Sequence, residues 1–168
     1  MVWKRSKGLV LVLAVAGAVG APQLAEAQRF VTISGGPANY DLSGTGWSGT
    51  AGAYVENSMR TWFLVEYGAS LFWYRPQFNE RAVMLLPEGG VAFQGPRYLP
   101  LRLGLGVGHS LTMSGNQPQD PTVYAALGLS LYVNGDWRVR PELRVRSVDP
   151  FHGVISGFTL GVSKRLGE

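Results

Sequence analysis

The sequence predicts an all-β fold: an eight-stranded antiparallel up-and-down transmembrane β-barrel preceded by a signal peptide. Three observations support this prediction: eight extended segments separated by turn-like joints, alternation with a period of two inside the segments, and one continuous apolar face. No segment shows a convincing 3.6-residue period, which argues against helices.

Residues 1–27 have the order of a secretory signal peptide. A basic start precedes the apolar run 8–20, and the small-residue site Ala25-Glu26-Ala27 follows it. The run is shorter than the ~20 apolar residues that a spanning helix needs. We therefore expect cleavage after Ala27 and one barrel domain over residues 28–168. Because the chain has no cysteine, a disulfide framework is excluded.

The charge balance of residues 28–168 gives little support to a nucleic-acid partner, and we expect none. These residues include 12 basic and 10 acidic side chains, a net charge of +2 with histidine neutral. Only one lysine, Lys164, occurs among them, whereas soluble surfaces are usually covered by lysine and glutamate. The surroundings of this protein therefore tolerate few charges.

Eight predicted strands follow one another as consecutive hairpins. Their predicted bounds are Arg29–Gly35, Trp47–Glu56, Met59–Tyr74, Glu80–Gln94, Leu101–Leu111, Thr122–Val133, Trp137–Val148 and Val154–Leu166.

The joints after the first four strands are the loop GPANYDLSGTG, the short turn Asn57-Ser58, RPQFN and GPRYLP. In the third strand, the alternate positions from Phe63 to Trp73 are apolar, and the opposite face includes Arg60, Trp62 and Glu66. One side of this strand therefore suits an apolar environment.

The last four strands repeat the alternation. Leucine or valine alternates with glycine in the fifth, and with Thr, Tyr, Ala, Gly and Ser in the sixth. The seventh, WRVRPELRVRSV, places charged residues at every second position, and the eighth alternates apolar residues with small polar ones. These strands are separated by TMSGNQPQDP, Asn134-Gly135-Asp136 and DPFHG.

The apolar face is predicted to point outward into lipid. With the opposite arrangement, the outer surface of a soluble barrel would be mostly Gly, Ser, Thr, Tyr and Ala, with almost no charge to keep it in solution. An eight-stranded barrel is just wide enough to be filled by its own side chains, so inward-facing glycines leave room for larger inward residues of other strands.

The charged face would then line the lumen, where unpaired charges are costly. Strands three and four lie opposite strand seven in a ring of eight, so their glutamates can reach across. The predicted lumen charge network comprises Glu66, Glu88, Arg138, Arg140, Glu142, Arg144 and Arg146.

Aromatic residues on the apolar face fall at two levels. Trp47 and Trp73 lie at the loop ends of their strands, whereas Phe63, Phe93 and Trp137 lie near the short turns. Two aromatic levels beside an aliphatic band are typical of the girdles of a transmembrane barrel.

Pro87 and Pro141 fall in mid-strand, where proline removes a ladder hydrogen bond. Each precedes a predicted lumen glutamate, so we expect a β-bulge at each site that re-aims the carboxylate.

The pattern resembles the small eight-stranded outer-membrane β-barrel proteins of the OmpA-like and OmpX-like kind. The resemblance rests on GGPANYDLSGTG, on LLPEGGVAF and RPELRVR, and on the closing GFTLGVSKRL. It implies an outer-membrane location, contact with outer-membrane lipids and insertion by the outer-membrane assembly machinery. Such proteins usually finish on an aromatic residue, whereas this sequence ends Leu166-Gly167-Glu168.

The sequence offers no convincing catalytic or metal site. His109 and Ser110 are adjacent in a predicted strand, so their side chains should point to opposite faces. His152 with Asp149 or Asp120 is the other candidate, but no repeated ligand spacing supports a metal. We expect no enzyme activity and no cofactor.

The predicted function is that of an integral outer-membrane barrel with a structural or surface-interaction role. Both termini and the short turns are expected in the periplasm, and the four longer loops outside. Two alternatives remain open: a narrow channel or binding barrel for a small solute, and a lipid A-modifying enzyme. The sequence names no small-molecule ligand.

Overall fold

The computed structural model describes residues 28–40, 48–74, 82–114, 119–148 and 153–166. Its strands are β1 (Arg29–Tyr40), β2 (Gly49–Arg60), β3 (Phe63–Tyr74), β4 (Ala82–Gln94), β5 (Leu101–His109 and Leu111–Ser114), β6 (Pro121–Leu129 and Leu131–Tyr132), β7 (Trp137–Val148) and β8 (Val154–Leu166). The predicted signal peptide, residues 1–27, lies outside the described residues.

The strands close into an up-and-down barrel. Each strand pairs antiparallel with the next one in the sequence, and β1 pairs with β8 through contacts such as Ile33 opposite Val162. The all-β, eight-stranded barrel prediction is confirmed. No helix among the described residues is long and apolar enough to cross a membrane.

Connections alternate between the two ends of the barrel. The turn end carries both chain termini of the described barrel and the connections 61–62, 95–100 and 133–136. The loop end carries the connections between β1 and β2, β3 and β4, β5 and β6, and β7 and β8.

Several predicted strand ends are wrong. β1 continues past Gly35 to Tyr40, because Gly36 and Pro37 still pair with β2 and the following residues pair with β8. β5 similarly continues past Leu111 to Ser114, paired with β4. Glycine and proline therefore predict the end of a strand too early where pairing with neighbouring strands keeps the chain extended.

The turn between β2 and β3 is also displaced. Asn57 and Ser58 pair with β3, and the chain reverses at Thr61-Trp62. The register shifts between Ser58 and Arg60, as at a bulge. Arg60 and Trp62, expected on the inner face, are consequently exposed at the turn end.

Neither mid-strand proline marks a bulge, which corrects the prediction for both. Pro87 lies opposite Ala69 of β3, and Pro141 lies opposite Leu160 of β8, with no register shift on either side of these pairs. An extra residue is therefore not present in either strand at these points.

The prolines instead face interruptions in neighbouring strands. β5 breaks at Ser110 and β6 breaks at Ser130, and each register resumes unchanged beyond its break. The carbonyl of Pro87 points toward β5, and that of Pro141 toward β6. The N–H and C=O of a strand residue point to the same side of the strand. The N–H that each proline lacks would therefore also point toward the interrupted strand, next to its break.

Side chains alternate between a buried lumen and an exposed outer wall. β6, for example, alternates exposed and buried residues over its whole length from Pro121 to Leu129. The apolar core lies inside the barrel at the loop end. Its members are Tyr40, Phe72, Tyr74, Ala82, Met84, Leu86, Val148 and Ile155.

Candidate functional site: the charged lumen and the outer wall

Strand β7 brings five charged side chains into the lumen. Its period-two sequence turns all five inward, and each is only 2% exposed. These residues are Arg138, Arg140, Glu142, Arg144 and Arg146.

Glu66 of β3 reaches the β7 arginines from the opposite wall. Its Oε1 lies 2.5 Å from Nη2 of Arg144, and its Oε2 lies 2.8 Å from Nη1 of Arg140. Arg102 of β5 donates to the same Oε2 from 2.6 Å. Three guanidinium groups therefore share one buried carboxylate.

Glu88 of β4 binds the end of the network nearer the loops. Its Oε2 accepts hydrogen bonds from Arg144 at 2.8 Å, from Arg146 Nη2 at 3.1 Å and from the Tyr54 hydroxyl at 3.1 Å. Its Oε1 accepts a further short bond from Nε of Arg146.

Glu142 lies between two arginines of its own strand. Its Oε1 accepts from Nε of Arg144 at 2.9 Å, and its Oε2 lies 3.3 Å from Nε of Arg140. Six of the seven residues predicted from sequence for the lumen thus lie in one connected group of ion pairs, and Arg138 joins it through Glu56 of β2.

Two further members, Glu56 and Arg102, were missed. Glu56 of β2 is fully buried and contacts Arg138 at 2.6 Å, Arg102 at 3.3 Å and Arg140. The turn predicted at Asn57-Ser58 placed Glu56 at the end of its strand, outside the predicted inward-facing set. Extending the alternation of β2 from Tyr54 would have predicted it inside.

Tyrosine rings pack on inward-facing glycines and enclose an arginine. A Cβ on Gly68 would lie 2.7 Å from the Tyr54 ring, and one on Gly106 would lie 2.5 Å from the Tyr124 ring. The guanidinium carbon of Arg144 lies 4.6 Å from one ring centre and 4.5 Å from the other. Glycine therefore makes the space in which the rings and the guanidinium fit.

The charges nearly balance within the described lumen. Five arginines face four glutamates, a net charge of +1. At the turn end, Arg138 stacks on Phe30 at 3.6 Å and donates to Gln94 at 3.2 Å. Toward the loop end, the apolar core around Phe72 and Leu86 lies in the lumen beyond the charges.

The predicted girdle residues that the structure describes lie on the outer wall. Trp73, Phe93 and Trp137 are 40 to 44% exposed, and Phe63 is half-buried. Trp47 lies outside the described residues.

Sequence reasoning missed one aromatic residue of the turn end. The Trp62 ring stacks on the Phe93 ring at 6.0 Å between centres, with 11° between the planes. Trp62 was predicted to point inward because the turn was placed too early. The alternation of β3 was thereby extended into residues that belong to the connection.

His109 and Ser110 do not form a nucleophile and base pair. The His109 Nδ1 lies 2.9 Å from the backbone carbonyl oxygen of Ser110, whereas the Ser110 hydroxyl bonds the backbone of Asp120. Within the described part of the chain, no three His, Cys, Asp or Glu side chains are grouped to hold a metal. His152 and Asp149 lie outside it.

No protein-family model and no curated protein matches this chain. Solved structures do match its fold. Neisserial surface protein A aligns with a TM-score of 0.66 at 11% identity, over 82% of this chain and 97% of that one.

Two further barrels align over nearly the same span. The N-terminal β-barrel domain of OprF from Pseudomonas aeruginosa has a TM-score of 0.57 at 14% identity, over 84% of this chain and 100% of that one. The Yersinia pestis outer membrane protein Ail, solved in a phospholipid bilayer nanodisc, has a TM-score of 0.51 at 13% identity, over 84% and 100%. At these identities the comparison establishes a shared fold, and the predicted likeness to small outer-membrane barrels is confirmed at that level.

Proposed function

We propose that this chain is an integral outer-membrane barrel with a closed lumen, which acts through its surface and its loops and performs neither transport nor catalysis. The observation that carries the proposal is the distribution of side chains, which is the reverse of that in a soluble barrel. The charged side chains line the lumen, and the apolar side chains cover the outer wall.

The outer wall supports membrane insertion. Leu103, Leu105, Leu127, Phe158 and Leu160 are 49 to 58% exposed, as part of a larger apolar surface that includes residues of every strand from β3 to β8. A soluble monomer rarely exposes a contiguous apolar patch of more than a few hundred Å². Strands of 12 or 13 residues, as in β3 and β4, are also long enough to span a bilayer at a tilt.

The filled lumen supports a closed barrel. Each of the four glutamates contacts at least two arginines, and the apolar core lies between this network and the loop end. A solute would have to separate several buried ion pairs and then the packed aromatic rings. We therefore favour a structural or surface-interaction role over the channel and over the lipid-modifying enzyme.

The test has three readouts on the same membrane-extracted protein. We expect fractionation with outer membranes, a heat-dependent shift in gel migration that reports a folded barrel, and no conductance in planar bilayers. Recovery as a soluble protein without detergent would refute membrane insertion. Steady conductance would favour the channel, and altered lipid A mass in expressing cells would favour the enzyme.

A further inference from the structure

In the part of the chain that the structure describes, the exposed charged side chains lie at one end of the barrel. Among the described residues, the turn end carries five exposed basic side chains and one exposed acid, Asp136, whereas the outer wall between the two ends carries none. The five form what we call the basic rim: Arg29, Arg60, Arg97, Lys164 and Arg165.

The basic rim is assembled from elements that are distant in sequence. Arg29 opens β1 and donates to Asn57 Oδ1 of β2 at 3.0 Å. Arg97 lies in the connection between β4 and β5, 5.1 Å above the Tyr132 ring. The backbone N–H of Arg165 donates to the carbonyl of Asp136 at 2.7 Å, which joins the end of β8 to the turn before β7.

The aromatic residues of the turn end lie directly beside the basic rim. The Lys164 ammonium nitrogen lies 5.5 Å from the centre of the Trp137 ring. Trp62, which follows Arg60 by two residues, stacks on Phe93 of the outer wall. Amphipathic rings occupy the headgroup level of a bilayer, so these contacts put the basic rim at the same depth or just beyond it.

We propose that the basic rim binds the phosphate groups of anionic phospholipids in the leaflet that meets the turn end. The proposal rests on the membrane insertion proposed above. The five bases and Asp136 give the described residues of the turn end a net charge of +4, and the described outer wall beside them carries no charge. This arrangement matches a surface whose headgroups are negative. Each Lys or Arg close to such a surface favours an anionic lipid about fivefold.

Tryptophan quenching tests the proposal in the folded protein. A background with W3F, W47F and W73F leaves Trp62 and Trp137 as reporters at the turn end. The protein is refolded into phosphatidylcholine bilayers that contain phosphatidylglycerol, with bromine on the chains of one lipid or of the other. We expect brominated phosphatidylglycerol to associate with the reporters about fivefold more strongly than brominated phosphatidylcholine, and this preference to weaken with salt.

Charge variants separate this mechanism from a solvated surface. Combined glutamine substitution at Arg29, Arg60, Lys164 and Arg165 should reduce the preference nearly to one, whereas lysine at the three arginine positions should retain it. Asp136→Asn, the matched control, should increase the preference because it removes the acid.

A preference near one in the unmodified rim at low salt, or one that neutralisation leaves unchanged, would overturn the proposal and indicate a solvated rim or a protein partner. If the neutralised variant does not fold, the salt titration of the unmodified rim decides. Heat-dependent gel migration and vesicle flotation are measured on the same samples, so failure to insert is distinguished from failure of lipid selection.

Discussion

Replacing Glu66 by glutamine removes one negative charge from the centre of the lumen at almost constant volume. Glu66 is 2% exposed and contacts Arg144, Arg102 and Arg140 at 2.5, 2.6 and 2.8 Å. The change leaves five arginines facing three glutamates among the described lumen residues, so their net charge rises from +1 to +2.

The structure sets the size of the expected loss. A hydrogen bond to a charged group contributes about 1.5–3 kcal/mol, so three such bonds give a ceiling of ~9 kcal/mol. The amide oxygen still accepts a bond, Arg102 and Arg140 keep Glu56, and Arg144 keeps Glu88 and Glu142. We therefore expect a loss of about 3–5 kcal/mol in the free energy of unfolding, the range seen when a buried pair is broken.

The assay is urea unfolding in lipid vesicles, followed by tryptophan fluorescence and by heat-dependent gel migration. Glu142→Gln is the matched comparison and should cost less, because Glu142 contacts two arginines of its own strand and its Oε2 makes no hydrogen bond. The double variant Glu66→Gln with Arg102→Met returns the net charge to +1. It should recover about 0.5–3 kcal/mol relative to the sum of the single changes.

Strict additivity in this cycle and in the cycles of Glu66 or Glu142 with Arg140 or Arg144 would refute the reasoning. The charges would then be solvated independently, and the arginines would line an open, wet channel. Conductance of the unmodified protein would accompany that outcome.

Three other measurements test the wall, the interior and the lumen. Leu127→Arg on the outer wall, which is 49% exposed, should cost about 2–4 kcal/mol in bilayers, and reversed sensitivity of the two faces would mean a soluble barrel. Gly106→Ala should cost about 1–3 kcal/mol because its methyl group would meet the Gly89 carbonyl oxygen and the Tyr124 ring, whereas Gly135→Ala, with nothing within 4 Å, should leave stability unchanged. Unmodified protein should show no single-channel events, while Glu66→Gln combined with Phe72→Ala in the apolar core should produce them, and silence in both would show that further residues close the lumen.

The sequence was most informative where the alternation was chemically sharp. The β7 stretch WRVRPELRVRSV predicted which residues face inward. Its charges occupy every second position, so all of them lie on one face, and in a membrane barrel that face is the lumen. The same logic failed for Glu56, since a strong turn dipeptide followed it and ended the expected strand too soon. Turn propensity is a local preference, and pairing on both sides of β2 overrides it.

The prolines show a limit of a different kind. From sequence, a mid-strand proline indicates a bulge, an edge or a gap in the ladder, and nothing local decides between them. In the structure both gaps occur in the neighbouring strand, at Ser110 and Ser130. The amides of these serines donate to the carbonyls of Asp120 and Pro100, in line with the β5–β6 register on the other side of the strand. Where each gap falls therefore depends on the joined register of three strands, which single-strand patterns do not contain.

The charged lumen also explains how this barrel can hold a unique register although its apolar core occupies only the loop end. A slip of one residue in β7 would move its four arginines to the outer wall. At about 2–4 kcal/mol for each arginine near the middle of a bilayer, such a slip would cost up to ~16 kcal/mol, before the stranded glutamates are counted. That penalty is comparable to the whole stability of a domain. A slip of two residues would keep leucine and valine on the outer wall. Because lipid solvates every apolar face equally well, the apolar pattern of the wall alone could not exclude such a slip. The Arg/Glu network therefore acts on register as much as on stability, and the inward charges need to be paired rather than merely present.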